Sequence, residues 1–357
     1  MPGPGDGGLE KVINIVRERG GPAQLCILVR GEVVLDEAVN CRRDSLFFLF
    51  SASKPMVALL VHMLAERGEL SLDDPVAAYW PEFGRRGKQA ITVRQVLQHR
   101  SGLPVARSMA LDALAMTDWT ASVRALEEAA PSFPPGSVPA YHVISYGFIL
   151  GELVQRVAGM PVRDVLRAEL LEPLSLHDTY LGLPAAEWSR HVPVSGRGAA
   201  ELATQVVINR RATRQAVIPA ASVSATAGDL ARLYQALLNG GELNGARVLQ
   251  PETIRQATMP SSDGETDRYL KLPVRWSEGF QLGGERRASA RLGGGPGPMG
   301  TLANRATFGH NGSYVCLGWA DPERQIAVGY LSARLVSRAA GARHMAAVSD
   351  AILSEFS

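Results

Sequence analysis

Apolar residues recur along the chain in two periods. Leu25-Cys26-Ile27-Leu28-Val29 and Val33-Val34-Leu35 flank a turn at Arg30-Gly31, which predicts two short strands joined as a hairpin. From Ser51 to Arg67 the pattern is helical, and Gly68 supplies the residue that best tolerates the left-handed cap. Between Ser145 and Val157 the positions Tyr146, Ile149, Leu150, Leu153 and Val157 share one helical face. Leu230, Leu233, Tyr234 and Leu237 do the same from Ala227 to Asn239, ahead of Gly240-Gly241. Strand signals then return over Phe280-Gln281-Leu282, Tyr314 to Trp319 and Ile326 to Leu331, and His344 to Phe356 closes the chain as a helix.

These elements predict an α/β (α+β) protein with an antiparallel sheet flanked by helices and an inserted, mostly helical lobe. Strands at the two chain ends pair, so residues 9–50 and 205–357 form an α/β lobe, and residues 51–204 form the helical one. Residues 1–8, rich in glycine and proline, read as a disordered leader. A length of 357 residues with 46% hydrophobic content suits two lobes around a substantial core.

Charge narrows the partners. A net charge of +2 with 20% charged residues gives neither a basic patch for nucleic acid nor an acidic tail, which leaves a small molecule as the expected partner. The longest apolar run is broken by His62 and followed by Glu66 and Arg67, so no membrane span is expected. The leader lacks the basic start and apolar stretch of a secretory signal, and the expected location is cytoplasmic. Cys26, Cys41 and Cys316 are odd in number and form no C-x-x-C pair, which suits reduced thiols. The seven histidines show no H-E-x-x-H or Cys/His clustering, so neither metal nor cofactor is expected. Gly3 to Gly8 and Gly295 to Gly300 satisfy G-x-G-x-x-G, yet neither follows a strand and opens a helix, and both read as loops. G-x-S-x-G is absent.

Candidate chemistry concentrates in Ser51-Ala52-Ser53-Lys54. At about 100° per residue, i and i+3 lie on neighbouring helix faces, which brings the Lys54 amine to the Ser51 hydroxyl. Lysine is scarce, with only Lys11, Lys54, Lys88 and Lys271, and Lys54 opens the apolar run Met56 to Val61, where a solvated lysine has no reason to sit. An amine kept from water disfavours its charged form and can act as a base.

Further segments resemble the penicillin-recognising serine enzymes, the superfamily of class C β-lactamases, family VIII esterases and related acyltransferases. Pro135 to His142 followed by Ser145 to Leu153 is similar to the Y-x-N region, and Phe308-Gly309-His310-Asn311-Gly312-Ser313 looks like the third motif, K-T-G or H-x-G. Ile91 to Pro104, Ile218-Pro219-Ala220 and Thr226 to Tyr234 add to the likeness, which covers about Leu46 to Leu331. The resemblance implies a β-lactamase/transpeptidase-like fold with the site between lobes and a catalytic Tyr141. It also implies an oxyanion hole from the backbone N–H groups of Ser51 and Ser313, provided the strand after Gly312 lies beside the helix start. His310, Asn311 and Gly312 then support the site, with His310 bonded to Tyr141 or substrate. The base is Lys54 directly if neutral, or a Tyr141 phenolate if Lys54 stays charged.

Val143 stands where Y-x-N supplies an asparagine amide, and His310 replaces lysine, which argues against strong β-lactam hydrolysis. The leading expectation is a serine esterase acting on small-molecule esters or activated amides through a Ser51 acyl-enzyme. Rivals are an acyltransferase with an alcohol or amine acceptor, a D-amino-acid peptidase or weak β-lactamase, and a non-catalytic cleft protein.

Overall fold

Alternating side chains at both ends of the chain build one six-stranded antiparallel sheet. In the computed structural model, which describes residues 6–284 and 297–357, its order is Gln281–Leu282, Phe308–Gly312, Cys316–Asp321, Ile326–Ser332, Ala23–Val29, Glu32–Val39. Ile27 pairs with Val328 and Ala23 with Ser332, so the N-terminal hairpin zips onto the C-terminal strand. Leu25 and Ile27 face one side, where they meet the terminal helices Asp6–Glu18 and Arg338–Glu355 through Val12, Val16, Val348 and Ile352. Cys26 and Leu28 face the other side, towards the Ala227–Leu238 helix. That helix sits close: a Cβ on Gly329 would lie 2.2 Å from the Ala227 carbonyl oxygen.

Behind it runs the helix Lys54–Glu66, in which every residue from Lys54 to Leu64 is buried. A helix apolar on all sides must be enclosed, and the helix Ser145–Ala158 packs along it. Side chains such as Leu59 and Leu60, each 1% exposed, contribute roughly 1.5–3 kcal/mol apiece by leaving water. A small sheet of Phe47–Phe48, Val223–Ala225 and Thr179–Leu181 fixes the chain just ahead of Ser51. No helix among the described residues is long and apolar enough to cross a membrane.

Several expectations need correcting. The helix foreseen from Ser51 starts at Lys54, and Phe50–Ser53 is a 3₁₀ turn. Phe50 enters that turn with φ of 49°, a region bulky residues avoid, while Pro55 occupies the first helical turn where its missing N–H is harmless. Phe308–Gly312 is itself a strand, the next one starts at Cys316 rather than Tyr314, and Ser313 and Tyr314 bridge them in left-handed conformation, with φ of 48° and 55°. The strand preceding Ser313 therefore lies beside the serine turn, and the one following it reaches the same turn. The leader gives way to helix already at Asp6, so Asp6-Gly7-Gly8 opens a helix, and residues 1–5 lie outside the described residues. Of the second glycine motif, Gly295 and Pro296 lie outside them too, and the part from Gly297 to Gly300 is a turn. The closing helix begins at Arg338, six residues before His344.

Two contacts hold the site's parts in register. Gly312 passes the serine turn so closely that a Cβ there would sit 1.9 Å from the Leu49 carbonyl oxygen. Asp267, fully buried, accepts from the backbone N–H groups of Tyr141 at 2.9 Å, Tyr269 at 2.9 Å and Leu270 at 2.8 Å, and from Trp276 Nε1–H at 3.1 Å. One carboxylate thereby ties Tyr141 to the 267–276 segment.

Both contacts yield predictions. Gly312→Ala should destabilise the fold by about 1–3 kcal/mol through overpacking and separate the strand from the serine turn. Asp267→Asn, which replaces one acceptor oxygen by a donor, should cost about 1–3 kcal/mol in buried donors left unpaired. Urea unfolding midpoints equal to that of the parent protein would contradict either statement.

Candidate active site

The 3₁₀ turn and the first turn of the following helix set Ser51 and Lys54 side by side. Lys54 Nζ lies 3.2 Å from Ser51 Oγ, 2.7 Å from the Val143 carbonyl oxygen and 3.3 Å from that of Ala220. The amine is fully buried, and loss of water alone holds its pKa well below the ordinary lysine value. A neutral amine has two N–H bonds and one lone pair. Two carbonyls take the N–H bonds, and the lone pair is left for the Ser51 hydroxyl proton.

Tyr141 lies on the loop before the Ser145–Ala158 helix, with its ring centroid 4.7 Å from Lys54 Nζ. The ring stacks on Trp276 at 5.3 Å and an interplanar angle of 10°, and touches His99 at 4.9 Å. Burial pushes its phenol pKa up, with the Ser51 hydroxyl pulling the other way. Of the two base arrangements considered from sequence, these directions fit the neutral amine beside a protonated phenol rather than an ammonium beside a phenolate.

Beneath the tyrosine lies a chain of buried polar groups whose proton positions follow from one obligate donor. The His142 backbone N–H donates to His99 Nδ1 at 3.2 Å, so that nitrogen carries no proton. His142 Nδ1, 3.3 Å from it, is then a donor, and His142 Nε2 accepts from the Ser101 hydroxyl. Burial drives His142 down to about 3, so the chain is neutral and structural.

Strand alternation separates His310 from Asn311. Asn311 lines the cleft, whereas His310 turns inward, 1% exposed, with its ring 6.3 Å from that of Tyr141. His310 Nδ1 pairs with the Asn311 carbonyl at 2.8 Å, not with Tyr141, and burial lowers its pKa to about 3. Its Nε2 is buried without a hydrogen-bond partner among the described residues. Ser313 lines the same cleft as Ser51 and Tyr141. Neither the Ser51 nor the Ser313 backbone N–H is bonded to another of the described residues, and both residues line the cleft.

The cleft measures about 330 Å³. Val143, Leu270, Leu272 and Val274 supply apolar lining, Gln281 and Asn311 supply amides, and Arg338 is the charged residue at its edge. A second cavity of about 250 Å³ is lined by Arg163, Arg167 and Tyr180 among others. Among the described residues no group of three or more His, Cys, Asp or Glu side chains could hold a metal ion.

Sequence reasoning brought Ser51, Lys54 and Tyr141 forward but missed Asp267, Gln281 and the two carbonyls that hold Lys54. Ala220 lies in the Ile218-Pro219-Ala220 segment that carried part of the family likeness, and that was its only signal. Trp276 is fully buried under Tyr141 and belongs to the core.

Comparison with known proteins identifies the family. Residues 13–351 match the Beta-lactamase family. The esterase/beta-lactamase LipL of Mycobacterium tuberculosis is 31% identical, the match covering 89% of this chain and 78% of that protein. The crystal structure of a penicillin-binding protein homologue from Caulobacter crescentus superposes with a TM-score of 0.80 at 29% identity, over 99% of each chain. That of a family VIII carboxylesterase does so with a TM-score of 0.81 at 27% identity, over 98% of this chain and 99% of the other. With a family match that runs nearly end to end and a relative of this identity over most of its length, the chain belongs to the β-lactamase family.

Proposed function

We propose that this protein is a serine esterase that cleaves small-molecule esters through an acyl-enzyme on Ser51. The observation that carries the reading is the buried Lys54 amine, 3.2 Å from Ser51 Oγ and within hydrogen-bond distance of two backbone carbonyls. The esterase name of the relative from Mycobacterium tuberculosis and the carboxylesterase structure support the same class.

In the proposed reaction Ser51 Oγ attacks the ester carbonyl carbon as its proton passes to Lys54 Nζ. Negative charge gathers on the carbonyl oxygen, where the N–H groups of Ser51 and Ser313 receive it; one such donor is typically worth about 3 kcal/mol of barrier. Collapse breaks the bond to the alcohol oxygen, which takes a proton from the Tyr141 phenol, and Lys54 returns a proton to Tyr141. Water then attacks the acyl-enzyme as Lys54 again accepts a proton; collapse breaks the bond from the acyl carbon to Ser51 Oγ, Lys54 returns the proton to that oxygen, and the acid leaves. Val143 offers no side-chain amide for an acylamino group, and its carbonyl is already held by Lys54, so β-lactams are poor substrates in this reading.

Two outcomes test it. Intact mass after exposure to a fluorophosphonate should show one adduct, absent in Ser51→Ala, while Lys54→Met and Tyr141→Phe should each lower kcat/KM for p-nitrophenyl butyrate by about 10²–10⁴ with the fold retained. An unlabelled parent protein would sink the acyl-enzyme. Because the Lys54 pKa is lowered and the base acts deprotonated, activity should fall as pH drops through a limb lying below the usual lysine value. Persistence of that limb in the residual activity of Lys54→Met would assign it to another group.

A further inference from the structure

Gln281 and Asn311 line the cleft from neighbouring strands, and two backbone donors fix the direction of both amides. The Asn311 backbone N–H can only donate, and it reaches Gln281 Oε1 at 3.1 Å. The atom of Gln281 turned towards it is therefore oxygen, which also accepts from Asn311 Nδ2 at 2.9 Å. The Tyr314 backbone N–H donates to Asn311 Oδ1 at 3.3 Å and settles that amide in the same sense. Flipping either side chain would set donor against donor. Gln281 Nε2 is left over: it has no hydrogen-bond partner among the described residues, and it belongs to a side chain lining the cleft that holds Ser51.

Val143 removes the side-chain amide expected on the Tyr141 segment, and the strand beside the Ser313 turn supplies another. We infer that Gln281 is a specificity-determining residue whose Nε2 donates to the substrate, so that the favoured esters carry a neutral acceptor oxygen, carbonyl or ether, beyond the scissile carbonyl. An anionic acceptor is not needed to satisfy this donor, since a neutral amide matches a neutral oxygen. Val143, Leu270, Leu272 and Val274 leave the rest of the substrate to apolar contact. The inference rests on the esterase reading for its turnover but not for its binding.

The test compares near-isosteric esters. In the acyl arm these are p-nitrophenyl 4-oxopentanoate and 4-methylpentanoate, and in the alcohol arm 2-methoxyethyl butyrate and butyl butyrate. The oxygen-bearing member of at least one pair should be preferred about tenfold in kcat/KM, the size of one neutral hydrogen bond. Gln281→Glu keeps the oxygen that Asn311 needs and replaces only the outward N–H₂, so the preference should disappear or reverse. Gln281→Leu should abolish it as well. Binding is read separately in the Ser51→Ala protein, where the Gln281 side-chain amide resonance, assigned by its loss in a Ser51→Ala/Gln281→Glu protein, should shift with the preferred oxygen-bearing ester and not with its alkyl partner. Equal rates within both pairs, or a preference that survives in Gln281→Glu, overturns the inference while leaving the esterase reading intact. Absence of turnover with all four esters counts against the esterase reading, and the resonance shift then decides the Gln281 assignment by itself.

Discussion

The arrangement of this protein depends on an amine buried where, among the described residues, no counter-charge meets it. Lys54 opens a helix enclosed by core on every side, and its neighbours are two carbonyl oxygens, the Ser51 hydroxyl and aromatic faces. Desolvation there disfavours the ammonium form and holds the pKa well below the ordinary lysine value, which favours a free lone pair. The same burial lowers His99, His142 and His310. A cluster of this kind resists holding positive charge at rest. In the proposed reaction the charge appears only when the serine proton arrives, beside the oxyanion that compensates it.

Geometry of this accuracy needs support from several parts of the chain. The serine turn hangs between the small sheet of Phe47–Phe48 and the central helix, with Phe50 held in a left-handed conformation. The Phe308–Gly312 strand closes on it from the main sheet, and the absence of a side chain at Gly312 sets how near it comes. Gly147 plays the same part on the far side, since a Cβ there would lie 2.1 Å from the Ala220 backbone nitrogen, next to the carbonyl that binds Lys54. Asp267 secures the third element by fastening Tyr141 to the segment that carries Trp276. Close backbone approach and buried hydrogen bonds, rather than surface ion pairs, position the reacting groups.

The cleft combines this centre with apolar lining and a pair of amides whose orientation is forced by backbone donors. Its character differs from the asparagine-bearing pattern that the sequence motifs bring to mind. Loss of a side-chain amide at Val143 and its presence at Gln281 move the polar contact from the tyrosine segment to the strand beside the Ser313 turn. In the proposed reading such a move changes which substrates are favoured and leaves Ser51 and Lys54 in place.

What the sequence determined by itself was local or periodic. The hairpin at Arg30-Gly31, the helices ending at Gly68 and Gly240, and the pairing of Ser51 with Lys54 follow from spacing, because neighbours along a helix or strand are neighbours in space. Tyr141, His310 and Ser313 became legible through ordered motifs, not through any local rule. Tertiary structure alone decided that Ser51 sits on a 3₁₀ turn and that His310 faces inward. It also decided that the carbonyls of Val143 and Ala220 meet at Lys54 and that Asp267 and Gln281 belong to the site at all. Backbone carbonyls carry no sequence signature, and contacts between residues 89 and 166 positions apart from Lys54 exist only once the chain has closed around it.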